Sequence, residues 1–130
     1  MRREPKWLTL AVILAIHDES LAAFGGTAGL RDQGLLESAL TRPINRYHYD
    51  PSAGLGQLAA AYAYGVVRNH PFVDGNKRTG LLSMPVFLSL NGSWFDPRQE
   101  EEVKTFFALA AGELSEEVLA RWVEANVKRK

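Results

Sequence analysis

The sequence predicts an all-α fold, a compact set of about six helices. A single domain is expected over residues 1–130. Three observations carry that prediction. Apolar residues repeat at helical spacing through the middle of the chain: Leu58, Tyr62 and Val66 fall at i, i+4 and i+8, and Ala59, Ala63 and Val67 widen the stripe. Capping residues and breakers, among them Thr9, Gly25-Gly26, Gly112 and Ser115, mark where helices start and stop. No alternation of strand and helix patterns of the βαβ type interrupts them.

Element by element, the first helix should run from Leu10 to Phe24, with Thr9 as N-cap and Gly25-Gly26 as the stop. "TAGLRDQG" reads as a loop. A short second helix, Leu35 to Thr41, should end before Pro43. The segment Arg42 to Gly54, with two prolines, is expected to be irregular and partly extended, a flap preceding the central helix pair. The third helix covers Leu55 to Asn69, and one more step of four from Val66 brings His70 to the inner edge of its stripe. The fourth begins near Asn76 or Lys77. Its run "TGLLSMPVFLSL" is apolar on nearly every face, as in a helix buried all round, with a kink at Pro85, and "NGSWF" ends it. Asp96-Pro97 supplies an N-cap and first helical residue, with Gln99 at the capping-box position, for a fifth helix to about Ala111 closed by Gly112. Ser115 caps a sixth, to about Val127, where Lys128, Arg129 and Lys130 suit the C-terminal dipole.

Composition narrows the function. The chain has no cysteine, which excludes thiolate zinc sites, redox motifs and a cysteine nucleophile and fits a reducing compartment. Fifteen Lys and Arg balance fifteen Asp and Glu, so nothing indicates a dedicated nucleic-acid binder. "MRREPK" followed by "WLTLAVILAI" resembles the start of a secretory signal. The apolar run is too short to span a membrane, however, no small-residue cleavage site follows, and the pattern continues as a helix into "HDESLAAF". A cytoplasmic protein without membrane association is expected.

The chemistry concentrates in "NHPFVDGNKRTG", Asn69 to Gly80. Pro71 biases His70 away from helical geometry, which leaves it at a helix end. Phe72 and Val73 are apolar and should anchor the loop. Asp74-Gly75-Asn76 is turn chemistry, and successive amides there can form an anion nest. Lys77 and Arg78 then stand where cations oppose the helix dipole, at a cost of a few tenths to about 1 kcal/mol each. An anion between them and the helix start removes the conflict. Asp74 adds a carboxylate suited to holding Mg²⁺ against phosphate oxygens. Histidine is the side-chain type best suited to proton exchange near neutral pH. Together these residues describe a phosphate-transfer site. Taken singly, each has an ordinary structural reading as a cap, a turn, a solvated face or a kink. His17-Asp18 could suggest a metal-binding pair, but the further upstream histidine such sites use is missing, so both read as surface or packing residues. His48 reads as loop packing.

"HPFVDGNKR" resembles the signature of the Fic domain family. "GLRDQGLLESALTRP" and "AAAYAYGVVRNHPFVDGNKRTG" are similar to its death-on-curing (Doc) branch, so that the likeness runs from about Leu8 to Asn91. The resemblance implies a Fic/Doc-like helical domain. It implies His70 as general base, Asp74 as the Mg²⁺ ligand, and Gly75, Asn76, Lys77 and Arg78 as the phosphate-binding set for ATP. It also places a target-docking flap at Arg42 to Asp50.

Two positions bear on the subtype. AMP-transferring members carry Gly after the Asn and a second Arg three residues beyond the first, where this sequence has Lys77 and Leu81. The Doc branch shares the Lys and lacks that Arg. Resemblance to it implies a kinase-like toxin that passes the γ-phosphate of ATP to elongation factor Tu and stops translation. No Ser or Thr is followed four residues later by Glu, so the family's internal inhibitory motif is missing, and the resemblance implies a separate Phd-type antitoxin. AMP transfer and a catalytically idle binding module remain the alternatives.

Overall fold

A computed structural model of the chain describes residues 3–129. Its axis is α3, Leu55–Asn69, whose residues Leu58 to Ala63 are without exposed surface. A helix this rich in alanine lets its neighbours come close, and three use it: α2 (Gln33–Tyr49), α4 (Asn76–Leu90) and α6 (Glu116–Ala125) pack around it. Helix α1 (Leu10–Phe24) lies against α4, and α5 (Gln99–Ala110) leans on α3 and α4. Tyr62, Phe72, Met84, Phe87, Leu36 and Leu119 form the centre of the core. The buried Tyr62 hydroxyl accepts from the Leu8 N–H at 2.9 Å, and burial pushes its pKa up to about 12. Among the described residues no helix is long and apolar enough to cross a membrane.

The expected six helices are present, and α1 and α3 have the expected bounds. Thr9 caps α1 through Val12 N, and Ser115 caps α6 through Val118 N. Four details differ. Helix α2 starts two residues earlier, capped by Asp32, and runs through Pro43 to Tyr49. The segment from Arg42 is therefore helical and not a flap. Pro43 is buried with Leu36, Ala39 and Leu40 on the same helix, and that burial offsets the one lost backbone bond.

Helix α4 is buried on most but not all of its circumference: Lys77, Val86, Ser89 and Leu90 are exposed. Pro85 lies inside it as expected. Helix α5 begins at Gln99 after an Arg98 N-cap whose side chain makes no capping bond. The Asp96 N–H is committed instead to the Asn126 carbonyl at 2.9 Å, and Glu100, Glu101 and Glu102 complement the dipole of α5.

The fourth difference is a small antiparallel sheet. Strand β1 (Ser93–Phe95) pairs with β2 (Val127–Arg129), Trp94 opposite Lys128. Helix α6 consequently ends at Ala125, and Lys128 and Arg129 lie in a strand and not in a helical last turn. Lys130 lies outside the described residues.

Candidate active site

Helix α3 ends at His70, which adopts left-handed geometry with φ 52° and ψ 54°. It is the only non-glycine residue with positive φ among the described residues. Pro71 disfavours the right-handed helical well, and the left-handed cap costs about 1–2 kcal/mol for a residue with a Cβ. The neighbouring chain holds it there. Arg31 donates from Nε to the His70 carbonyl at 2.8 Å and from Nη2 to the Asn69 carbonyl at 3.0 Å. The Arg31 and Asp32 N–H groups both reach the Pro71 carbonyl, at 2.7 and 3.0 Å. The imidazole itself is exposed.

The loop that follows is pinned from inside. Phe72 is buried and bridges to Leu30 in antiparallel fashion, and the Val73 N–H donates to the Gly29 carbonyl. Val73 does not anchor the core as expected: it is 48% exposed, because the bridge turns it outward. Asn76 is buried, and its amide clasps both main-chain groups of Phe72 at 2.9 Å, Oδ1 accepting from the N–H and Nδ2 donating to the carbonyl. Its side chain therefore shapes the site without facing it.

Gly75 is the N-cap of α4, at φ 79°, a conformation that glycine enters without a Cβ penalty. It offers no capping side chain, so the first-turn amides of Asn76, Lys77 and Arg78 have no acceptor within the helix. Such a helix start is a ready anion site.

Asp74 lies beside that start. Its Oδ2 accepts from the Thr27 N–H at 3.0 Å and its Oδ1 from the Gly75 N–H at 2.9 Å. The Thr27 bond first, then the Gly75 bond, hold the carboxyl below its ordinary range, and Arg78 and His17 add to the effect. One exposed ionised carboxylate fits a Mg²⁺ that takes its remaining ligands from phosphate oxygens and water. Among the described residues no group of three or more His, Asp and Glu could hold a metal by itself.

His70, Val73, Asp74, Gly75, Asn76, Lys77 and Arg78 line one pocket of about 380 Å³. All six residues singled out in the sequence are thus brought together. Lys77 is exposed, whereas Arg78 is half-buried, donating to the Gly25 carbonyl at 3.2 Å with its guanidinium 5.0 Å from the Phe24 ring centre. Leu81, one turn on, lines a different, apolar groove with Phe106, Phe107 and Ala110, and Lys77 and Arg78 form the rim shared by the two.

The extended segment that meets the loop comes from residues 27–32, not from Arg42–Asp50. In the sequence that segment reads as a loop and as part of the family likeness, with no role marked for Arg31 or Thr27. A charged residue in a polar loop carries no periodic signal. His17 carried one: with Ile13, Ile16 and Ser20 it falls on the inward face of α1.

A left-handed histidine cap and an uncapped helix start that carries two cations line one pocket, and the chain belongs to the Fic/DOC family, which it matches over residues 7–88. It is 36% identical over 80 residues to protein kinase doc of Escherichia phage P1, the match covering 62% of this chain and 64% of that protein. It is 45% identical over 71 residues to toxin Doc of Mycolicibacterium smegmatis, over 54% of this chain and 55% of that one. The matches thus span less than two thirds of either relative.

Proposed function

We propose that the chain is a Doc-type toxin of a toxin–antitoxin pair. It acts as a protein kinase that moves the γ-phosphate of ATP to a hydroxyl of a translation factor in the cytoplasm. The resemblance to the Doc branch implies elongation factor Tu as that factor. The observation that carries the reading is the pairing, across one pocket, of His70 at the end of α3 with the uncapped start of α4.

In this reading His70 accepts the proton of the target hydroxyl while its oxygen attacks the γ-phosphorus. The new O–P bond forms as the bond to the bridging oxygen breaks, and ADP departs with the electron pair. The α4 amides, Lys77 and Arg78 meet the charge on the phosphoryl oxygens. Gly75 lets the backbone approach them, and Asn76 keeps the loop in shape. Mg²⁺ held at Asp74 supplies charge neutralisation and phosphate alignment.

Leu81 supports phosphate transfer over AMP transfer. It faces the apolar groove, so no third cation stands there to hold a further phosphate. The same groove, with Phe107 73% exposed, suits the apolar segment of a Phd-type antitoxin.

The test is transfer from ATP labelled at the γ or the α position to elongation factor Tu, with His70→Ala as control. Label from the γ position alone, lost in His70→Ala, is expected. Label from the α position alone overturns the kinase reading in favour of AMP transfer. No transfer from either position, with growth inhibition surviving in His70→Ala, points to a binding module.

A further inference from the structure

His17 has no part in the mechanism above, yet it is 3% exposed and lies directly beneath the loop. Its ring stacks on Phe72 with centroids 3.8 Å apart and planes 8° from parallel. Its Nε2 is 2.8 Å from the main-chain carbonyl oxygen of Asp74. A carbonyl can only accept, so Nε2 carries the hydrogen. A Cβ built on Gly75 would lie 3.5 Å from the same Nε2, which puts the ring tip against the turn itself. One side chain thus holds the loop at Phe72 through its face and at Asp74 through its tip.

The geometry points to His17 as a positioning residue for the Asp74 carboxylate and the start of α4. The link is the planarity of the peptide joining Asp74 to Gly75, in which C=O and N–H point in opposite directions. His17 fixes the carbonyl on the inner side. The Gly75 N–H is thereby turned outward, where it donates to Asp74 Oδ1. The orientation of one peptide plane therefore passes from a buried ring to an exposed carboxylate. A residue that only filled space would fix Phe72 but leave this plane free to rotate. This role rests on reading the loop as the phosphate-transfer site.

The test uses His17→Phe, which keeps a stacked ring and removes the donor, and His17→Gln, whose Nε2 lies the same number of bonds from the backbone. Amide–water exchange at Gly75 and Thr27 is followed by NMR in the nucleotide-free protein, and Mg²⁺–ATP binding by calorimetry. In His17→Phe, exchange at these two amides should quicken about tenfold while the amides at the centre of α3 are unmoved, and Mg²⁺–ATP affinity should fall. His17→Gln should recover most of both. The wild-type ring should show its hydrogen on Nε2 by ¹⁵N shifts. Unchanged exchange at Gly75 and Thr27, acceleration shared equally with α3, or a hydrogen on Nδ1 alone overturns the assignment. Should His17→Phe not fold, His17→Gln decides: slow Gly75 exchange without the ring supports the assignment, and fast exchange overturns it. If wild type binds no Mg²⁺–ATP, the phosphate-transfer reading fails, while the exchange data still judge His17.

Discussion

Arg31 donates from Nε to the main-chain carbonyl of His70, 2.8 Å away across two elements of the fold. With its second bond to Asn69 it sits as a cation on the C-terminal end of α3, where the dipole favours it. The residue that holds the His70 backbone is therefore in a loop far upstream. Arg31→Ala should cost about 1 kcal/mol of stability, since the pair is exposed. It should reduce phosphate transfer by on the order of a hundredfold through misplacement of His70. Thermal melts and single-turnover transfer on one preparation check both. Arg31→Lys, which cannot form the two-pronged contact, should behave nearer to Ala than to wild type.

The left-handed geometry of His70 makes stability and function separable. His70→Gly removes the Cβ conflict at a helix cap and should raise stability by about 0.5–1 kcal/mol while transfer falls by at least about a hundredfold. His70→Ala should lose transfer equally without the gain in stability. A lower melting temperature for His70→Gly than for His70→Ala counts against the strain.

Asp74 provides a pH dependence of known sign. Its folded pKa lies below the ordinary value of 3.8, chiefly through the Thr27 and Gly75 N–H bonds. A depressed carboxyl contributes stability that is full above the unfolded value and is lost as pH falls through the folded one. The difference in melting temperature between wild type and Asp74→Asn should be small, constant from neutral pH down to about pH 5, and should close as the pH drops below the ordinary range. A gap that widens in acid contradicts the assignment. The same variant should lose Mg²⁺-dependent nucleotide binding.

The start of α3 is capped from another helix: the Gln57 N–H donates to Glu124 Oε2 at 3.0 Å. Gly56 makes this approach possible, because a Cβ there would lie 2.7 Å from Glu124 Cα and 2.8 Å from its N. Backbone atoms cannot swing away, so Gly56→Ala should destabilise by about 2–3 kcal/mol. Gly54→Ala comes nearest to the Glu124 carboxylate, the far end of a flexible side chain, and should cost less, about 1 kcal/mol. Urea denaturation of the two variants side by side distinguishes them.

What could be read from the sequence follows from the range of the interactions that decide each feature. Helix α3, the stop at Gly25, the caps Thr9 and Ser115 and the grouping of His70 with Asp74–Arg78 depend on residues within a turn or two of one another. Helix α2 continues through Pro43 because it packs against α3, a contact that no local signal in the sequence carries. Strands β1 and β2 are too short to show alternation, and each is a strand only because the other lies beside it. Asn76 stood in the right place with its side chain turned inward, and Arg31 and His17 act on the loop from afar.

Phe72 has Leu30 on one side and the Asn76 amide on its own N–H and carbonyl, like the middle strand of a sheet one residue wide. Both of its hydrogen-bonding groups are occupied before any nucleotide arrives. The loop has little to reorganise on binding, so nucleotide association should proceed in one kinetic phase, linear in concentration, with no slow isomerisation behind it. Stopped-flow traces that saturate or split into two phases would show a loop that is still choosing its shape.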